Sequence, residues 1–275
     1  MRKLMWAAVP IAAAMVSSAP AYADDEQPCS GPTVAALAQW AGITGKLASW
    51  REDNGLIAAT ACKAMPDAPG TTIAIVAFDT HHVGKNSDDG KLDQVVALVE
   101  GDKVVAAHRS VIEEDAATQV GYFHVDTARY QLAPDVRAFG TVFDSAARGP
   151  SCPYAVTENE LTLWVREGSD LRPVFGTNLD GWISIDEDSC GSGMEGSRSE
   201  SAHMTVAIEK TASHGFADLA LTAHIARSRM TDAKDADLGT RTVRRIFKYD
   251  GKSYGIDMFR TFWYPHEGKW KNMPR

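Results

Sequence analysis

The densest group of side chains able to do chemistry is Asp79-Thr80-His81-His82, followed by Val-Gly-Lys-Asn-Ser-Asp-Asp-Gly90. Carboxylate and imidazole together suit a transition metal. If the preceding strand continues, Asp79 and His81 project to one face, as ligation requires. That spacing nominates Asp79, His81 and His82 as metal ligands and makes a periplasmic hydrolase, metal-dependent if these residues hold an ion, one of two functional readings. The plainer reading is that a buried strand ends here in a Gly/Asp loop. No H-E-x-x-H or calcium-loop pattern supports a metal further.

Two other groups invite the same question. Glu113-Glu114-Asp115 offers carboxylates for acid–base work, but adjacent acids on a strand end alternate faces, and the run reads better as the solvated part of a turn. Asp126, Arg129 and Arg137 frame a hairpin and suggest an ion pair across it. Gly191-Ser-Gly-Met-Glu-Gly196 is the nearest approach to a nucleophile elbow, with its Ser in the wrong position. No catalytic or cofactor motif names a reaction, and no cofactor is expected.

The C-terminal segment has a different chemistry. Phe259, Phe262, Trp263, Tyr264 and Trp270 lie within a dozen residues of one another, among Arg260, His266, Lys269 and Lys271. Aromatic and Arg enrichment is the composition of binding patches, so Arg260, Trp263, Tyr264, His266 and Trp270 are candidate binding residues. A last strand closing a core has the same composition. Gly251-Lys-Ser-Tyr254, followed by Phe262-Trp263 and Gly268, resembles the hairpin of periplasmic inhibitors of C-type lysozyme. Those proteins are small disulfide-linked β-barrels. The resemblance covers under a tenth of the chain and implies an inhibitor role.

The elements that must position these residues are mostly strands. Thr71 to Phe78 reads as a buried strand. Glu100-Gly-Asp-Lys103 and Glu167-Gly-Ser-Asp170 each sit between β-branched or apolar runs, as hairpin turns do. Asp180-Gly181 precedes Trp182 to Ile185, and His214-Gly215 separates Met204–Ile208 from Leu219–Ile225. Asp250-Gly251 suits a two-residue type I′ turn between Thr242–Tyr249 and a strand running from Lys252 to Trp263. Gly31 to Ala41 has helical spacing with a Pro near its start, and a second short helix is expected over 45–50 or 56–63. The fold expected is mainly β: an antiparallel meander, as a sandwich or partly closed barrel, with a small N-terminal helical cap over 24–70 and a β-rich domain over 71–275. The Gly/Ser/acidic stretch 186–201 is a possible subdivision.

Compartment follows from the first residues and the cysteines. Arg2 and Lys3 precede the apolar run Met5–Val16, and Ala21-Tyr22-Ala23 presents small residues before Asp24-Asp25-Glu26. This is the pattern of a signal peptide spanning 1–23, too short for a bilayer span. Cleavage near Ala23 would place the product in the periplasm or outside the cell, with no membrane insertion of the mature chain. It would also move the formal charge from −8 to −10, since only Arg2 and Lys3 are charged in that stretch. An acidic chain whose Arg residues alternate with other types is not expected to bind nucleic acid. Four cysteines, Cys29, Cys62, Cys152 and Cys190, favour disulfides in such a compartment, paired as Cys29–Cys62 and Cys152–Cys190. The leading functional reading is a non-catalytic exported protein that binds a ligand or a partner protein in the cell envelope, the latter as an inhibitor or immunity factor would.

Overall fold

The computed structural model describes residues 28–50, 54–80, 90–186, 196–231 and 235–265. The signal-peptide stretch therefore lies outside the described residues, as do His81, His82, Cys190, His266 and Trp270. Helix α1 (Gly31–Ala41) is followed by β1 (Ile57–Ala64), β2 (Thr71–Phe78), β3 (Lys91–Glu100), β4 (Lys103–Glu113), β5 (Val120–Ala133) and β6 (Val136–Ser145). Then come β7 (Ala155–Glu167), β8 (Asp170–Ser184), β9 (Arg198–Ser213), β10 (Phe216–Arg229) and β11 (Ala236–Phe247). Among the described residues no helix is long and apolar enough to cross a membrane.

Local chemistry explains most of these boundaries. The Ser30 side chain accepts from the Thr33 amide at 3.2 Å and opens α1. Gly42, left-handed at φ 69°, closes it, with the Ile43 amide returning to the Ala38 carbonyl at 2.8 Å. The expected hairpins form with Glu100 opposite Lys103 and Glu167 opposite Asp170. At His214-Gly215 both residues hold positive φ, 49° and 89°, which is the left-handed pair a tight hairpin uses.

Two expectations are corrected. The stretch 56–63, rich in alanine, is not helical: it enters edge strand β1, paired antiparallel to β2. A partner strand thus overrides a local helix preference. At Asp250-Gly251 only the glycine is left-handed, so the turn is not type I′, and residues 252–263 form no partner strand for β11. The Asp250 carboxylate instead accepts from the Lys252 and Ser253 amides at 2.7 Å each, turning the chain towards β8.

Hydrogen bonding joins the strands in the order β1-β2-β3-β4-β8-β7-β6-β5, and β9, β10 and β11 extend the sheet from β8. The sheet is mostly antiparallel and does not close into a barrel. It curls so that three apolar cores form between successive layers. In the first, Val34 and Leu37 of α1 meet Val76, Phe78, Val95 and Ala97. In the second, Ile73, Ile75, Val96 and Leu98 meet Phe123, Val125, Phe139 and Trp164. In the third, Leu161, Leu163, Val174 and Phe175 meet Met204, Leu219, Leu221 and Ile225. β-Strand alternation lets one strand serve two cores, as Leu163 and Trp164 of β7 do.

The C-terminal segment seals the third core. The Tyr254 amide donates to the Val174 carbonyl at 2.7 Å, and the Asp257 amide to the Gly176 carbonyl at 3.2 Å, giving a short parallel bridge along β8. Trp263 is fully buried against Gly181, where a Cβ would lie 2.7 Å from the ring. Beneath it the fully buried Glu200 carboxylate pairs with Arg241 and, at 3.3 Å, with Arg227. Arg241 also donates to the Trp263 carbonyl at 2.5 Å.

The sulfur atoms of Cys29 and Cys62 are bonded at 2.04 Å, tying the entry of α1 to β1. Cys152 is disulfide-bonded as well. Because Trp263 fills a site shaped by a glycine, Trp263→Ala should lower unfolding stability by about 3 to 5 kcal/mol. Gly181→Ala should lower it by about 1 to 3 kcal/mol through overpacking against the same ring. Chemical denaturation monitored by circular dichroism checks both, and an unchanged midpoint for Trp263→Ala would contradict the buried placement.

Candidate functional site

Among the described residues, those nominated from the sequence serve mainly to shape turns and hold the core together. Asp79 donates its backbone amide to the Leu56 carbonyl at 2.7 Å, while its proposed co-ligands lie outside the described residues. Among the described residues no group of three or more His, Cys, Asp or Glu side chains is placed to hold a metal ion. Glu114 accepts from the Val120 amide at 2.6 Å, and Asp115 from those of Ala117 and Thr118 at 2.7 Å each, so this acidic run shapes a turn. Arg137 pairs with Asp67 and donates to the Thr127 carbonyl at 3.0 Å, while Asp126 accepts from the Tyr130 hydroxyl at 2.5 Å. The ion pair of this hairpin therefore reaches the β1–β2 loop and not Asp126.

Of the C-terminal candidates, Trp263 belongs to the core. Tyr264 is half-buried, its ring edge-on to Trp263 at 4.6 Å, and burial pushes its hydroxyl pKa up. Arg260 lies over the Phe247 ring at 4.4 Å and donates to the carbonyls of Gly176 and Gly255 at 3.0 and 2.8 Å. These contacts fix its guanidinium to β8 and the end of β11.

The feature that stands out instead is a seam. β1 and β5 are the two ends of the main strand path and are brought together by its curl, with Cα atoms within 8 Å, yet no ladder joins them. Between their facing backbones lies a cavity of about 420 Å³, lined by Ala58 to Lys63 on one side and Gly121 to Val125 on the other. Both walls therefore present strand edges, the part of a sheet whose amides and carbonyls most readily take up another strand. Their directions follow from the ladders. Three antiparallel steps lead from β1 to β4, one parallel step to β8, and three more antiparallel steps to β5. β1 and β5 consequently run the same way, and an extended segment lying antiparallel to one is antiparallel to both.

One basic side chain, Lys63, lines the seam of this acidic protein, together with His124 on the opposite side. His124 has its pKa lowered from the ordinary 6.5, first by burial and then by the Lys63 ammonium, with Asp126 opposing. At the rim, burial and the neighbouring Asp144 raise the Tyr122 hydroxyl pKa. No local signal in the sequence marks these residues, because the walls are about sixty positions apart and meet only through the curl of the sheet.

Comparison of the chain with protein-family models, with curated proteins and with solved structures returns no match.

Since folding disfavours the protonated His124 ring, its contribution is fully present above pH 6.5 and declines as the pH falls below that value through its folded pKa. Histidine NMR should place the His124 titration below 6.5. Lys63→Met should move it part of the way back, because burial, the larger cause, remains. A titration at or above 6.5 in the parent protein would contradict the seam geometry.

Proposed function

We propose that this chain is an exported, non-catalytic binding protein that takes up an extended segment of a partner polypeptide between β1 and β5. The observation that carries the reading is the pair of unladdered edges running in one direction on either side of a cavity. One added strand satisfies both edges at once in antiparallel geometry, which is the chemistry of recognition by strand addition. Each ladder bond contributes about 1 kcal/mol net, so two ladders support binding with little need for side-chain specificity.

Insertion also has a steric requirement. Strands in a sheet are spaced by about 4.8 Å, so a strand between two others needs them about 9.6 Å apart, and the seam must widen where its walls approach within 8 Å. No ladder bond between β1 and β5 has to break for this. The Lys63 ammonium favours acidic side chains on the incoming strand. Export is supported by the leader-like N-terminus and by the Cys29–Cys62 disulfide, which fits an oxidising compartment. The envelope is then where a partner protein would be met.

The test uses two unstructured peptides with alternating Val and Thr, one carrying Asp and the other Lys at its remaining positions. The acidic peptide should bind more tightly, slow amide exchange at both 58–63 and 121–125, and lose its advantage in Lys63→Glu. Absence of new protection at both edges with either peptide would defeat the proposal.

A further inference from the structure

We propose that the cavity between the α1–β1 loop and the neighbouring ends of β2, β3 and β4 is a binding site for a small organic monocarboxylate, held through Arg109. The cavity measures about 620 Å³, a size suited to a small molecule. The loop that follows Gly42 supplies Ile43, Thr44 and Lys46 to its wall, Thr80 follows β2, Asp93 lies on β3 and Arg109 on β4. Arg109 is directly opposite Val95, which makes it the diagonal neighbour of Asp93 on the same face of the sheet. Val95, Ile43 and Leu56 belong to the first core, so the cavity lies at the margin of that core.

Arg109 is what marks this cavity as a site for an anion. Asp93, whose side chain is only 8% exposed, accepts from Arg109 Nε at 3.0 Å and from the Thr80 hydroxyl at 2.7 Å. Arg109 Nη2 lies 2.8 Å from the same Asp93 oxygen, and Nη1 donates to the Ala41 carbonyl at 2.9 Å. A guanidinium carries five N–H donors in one plane, and these contacts use three of them, which leaves one hydrogen each on Nη1 and Nη2. A buried carboxylate and a carbonyl at the end of α1 thus fix the plane, while 44% of the side chain remains exposed. An arginine whose orientation is already set loses little freedom when it takes an oxyanion as a bidentate partner.

The rest of the lining selects the class of anion. Lys46 and Arg109 against Asp93 leave one net positive charge, which suits a monoanion. The buried side chains of Ile43 and Leu56 offer an apolar wall to its hydrocarbon body. That wall is built in advance of any ligand: the Leu56 amide donates to the Lys46 carbonyl at 2.9 Å, and the Asp79 amide to the Leu56 carbonyl at 2.7 Å. Gly45 lies so close to Leu56 that a Cβ there would be 2.7 Å from its Cδ1. The site shares no residue with the lining of the seam and does not rest on strand uptake there.

The experiment titrates the purified protein with hexanoate and, separately, with its uncharged counterpart hexanamide, following backbone amides by NMR. Hexanoate should shift the amides of Ile43, Thr44 and Thr80 saturably, and hexanamide should leave them in place. Arg109→Lys keeps a cation beside Asp93 but removes the planar fork, so it should weaken hexanoate binding about tenfold or more. A double variant, Arg109→Gln with Asp93→Asn, leaves no buried charge unpaired and should lose the saturable shift. Circular dichroism establishes that each variant is folded, and the double variant keeps the test decisive where Arg109→Lys is not. The proposal is overturned if hexanoate moves none of these amides, if hexanamide moves them at the same concentrations, or if either folded variant retains the parent's affinity.

Discussion

Strand β8 has a single neighbour along one edge and three in succession along the other, and the whole architecture hangs on that asymmetry. β7 accompanies it throughout. On the opposite edge β4 meets it at Asp170, the C-terminal segment at Val174 and Gly176, and β9 from Asp180 onwards. Pro173 stands where the first partner gives way to the second, opposite a register shift in β7. A proline has no amide to donate, so it suits a place where pairing changes. Two glycines then admit what packs across the strand. A Cβ at Gly176 would lie 2.7 Å from Ile256, and one at Gly181 the same distance from Trp263. β8 is thus the hinge at which one sheet turns to make three layers.

The charges at the third core reinforce this arrangement. Glu200 is removed from water between Arg227 and Arg241, and the second of these also holds the carbonyl of Trp263. Burial of such a group is expensive unless its partners are in place. The carboxylate therefore rewards only the packing in which β9, β10, β11 and the C-terminal segment have all arrived. Arg260 acts similarly at the other end of the segment, clamping the carbonyls of Gly176 and Gly255 while its plane covers Phe247. Arg260, Trp263 and Tyr264 thus lock this piece of chain onto the sheet.

The seam is the other side of the same constraint. A sheet that turned through a full circle would join its first strand to its last, but here the outer edge of β8 is shared with β9 and the C-terminal segment. The curl brings β1 and β5 alongside each other without a ladder. Because the number of antiparallel steps between them is even, they run in one direction. A single antiparallel strand complements both. The Cys29–Cys62 disulfide sits beside this opening and ties β1 to the start of α1.

Local signals in the sequence determine the β-rich class, α1 with its Ser30 and Gly42 caps, the buried strand β2, the hairpins at Glu100–Lys103, Glu167–Asp170 and His214-Gly215, and the Cys29–Cys62 pairing. Each depends on residues close in the chain or on the chemistry of a few residue types. Tertiary structure alone decided the rest. Ala58 to Lys63 became a strand because β2 offered a partner, against the helical preference of its alanines. The segment after Asp250-Gly251 left its hairpin because β8 had an open edge and a glycine-shaped place for Trp263. The seam between Lys63 and His124 depends on strand order, direction and register. Those properties arise from which distant apolar faces bury one another, and no short stretch of sequence contains both halves of such a contact.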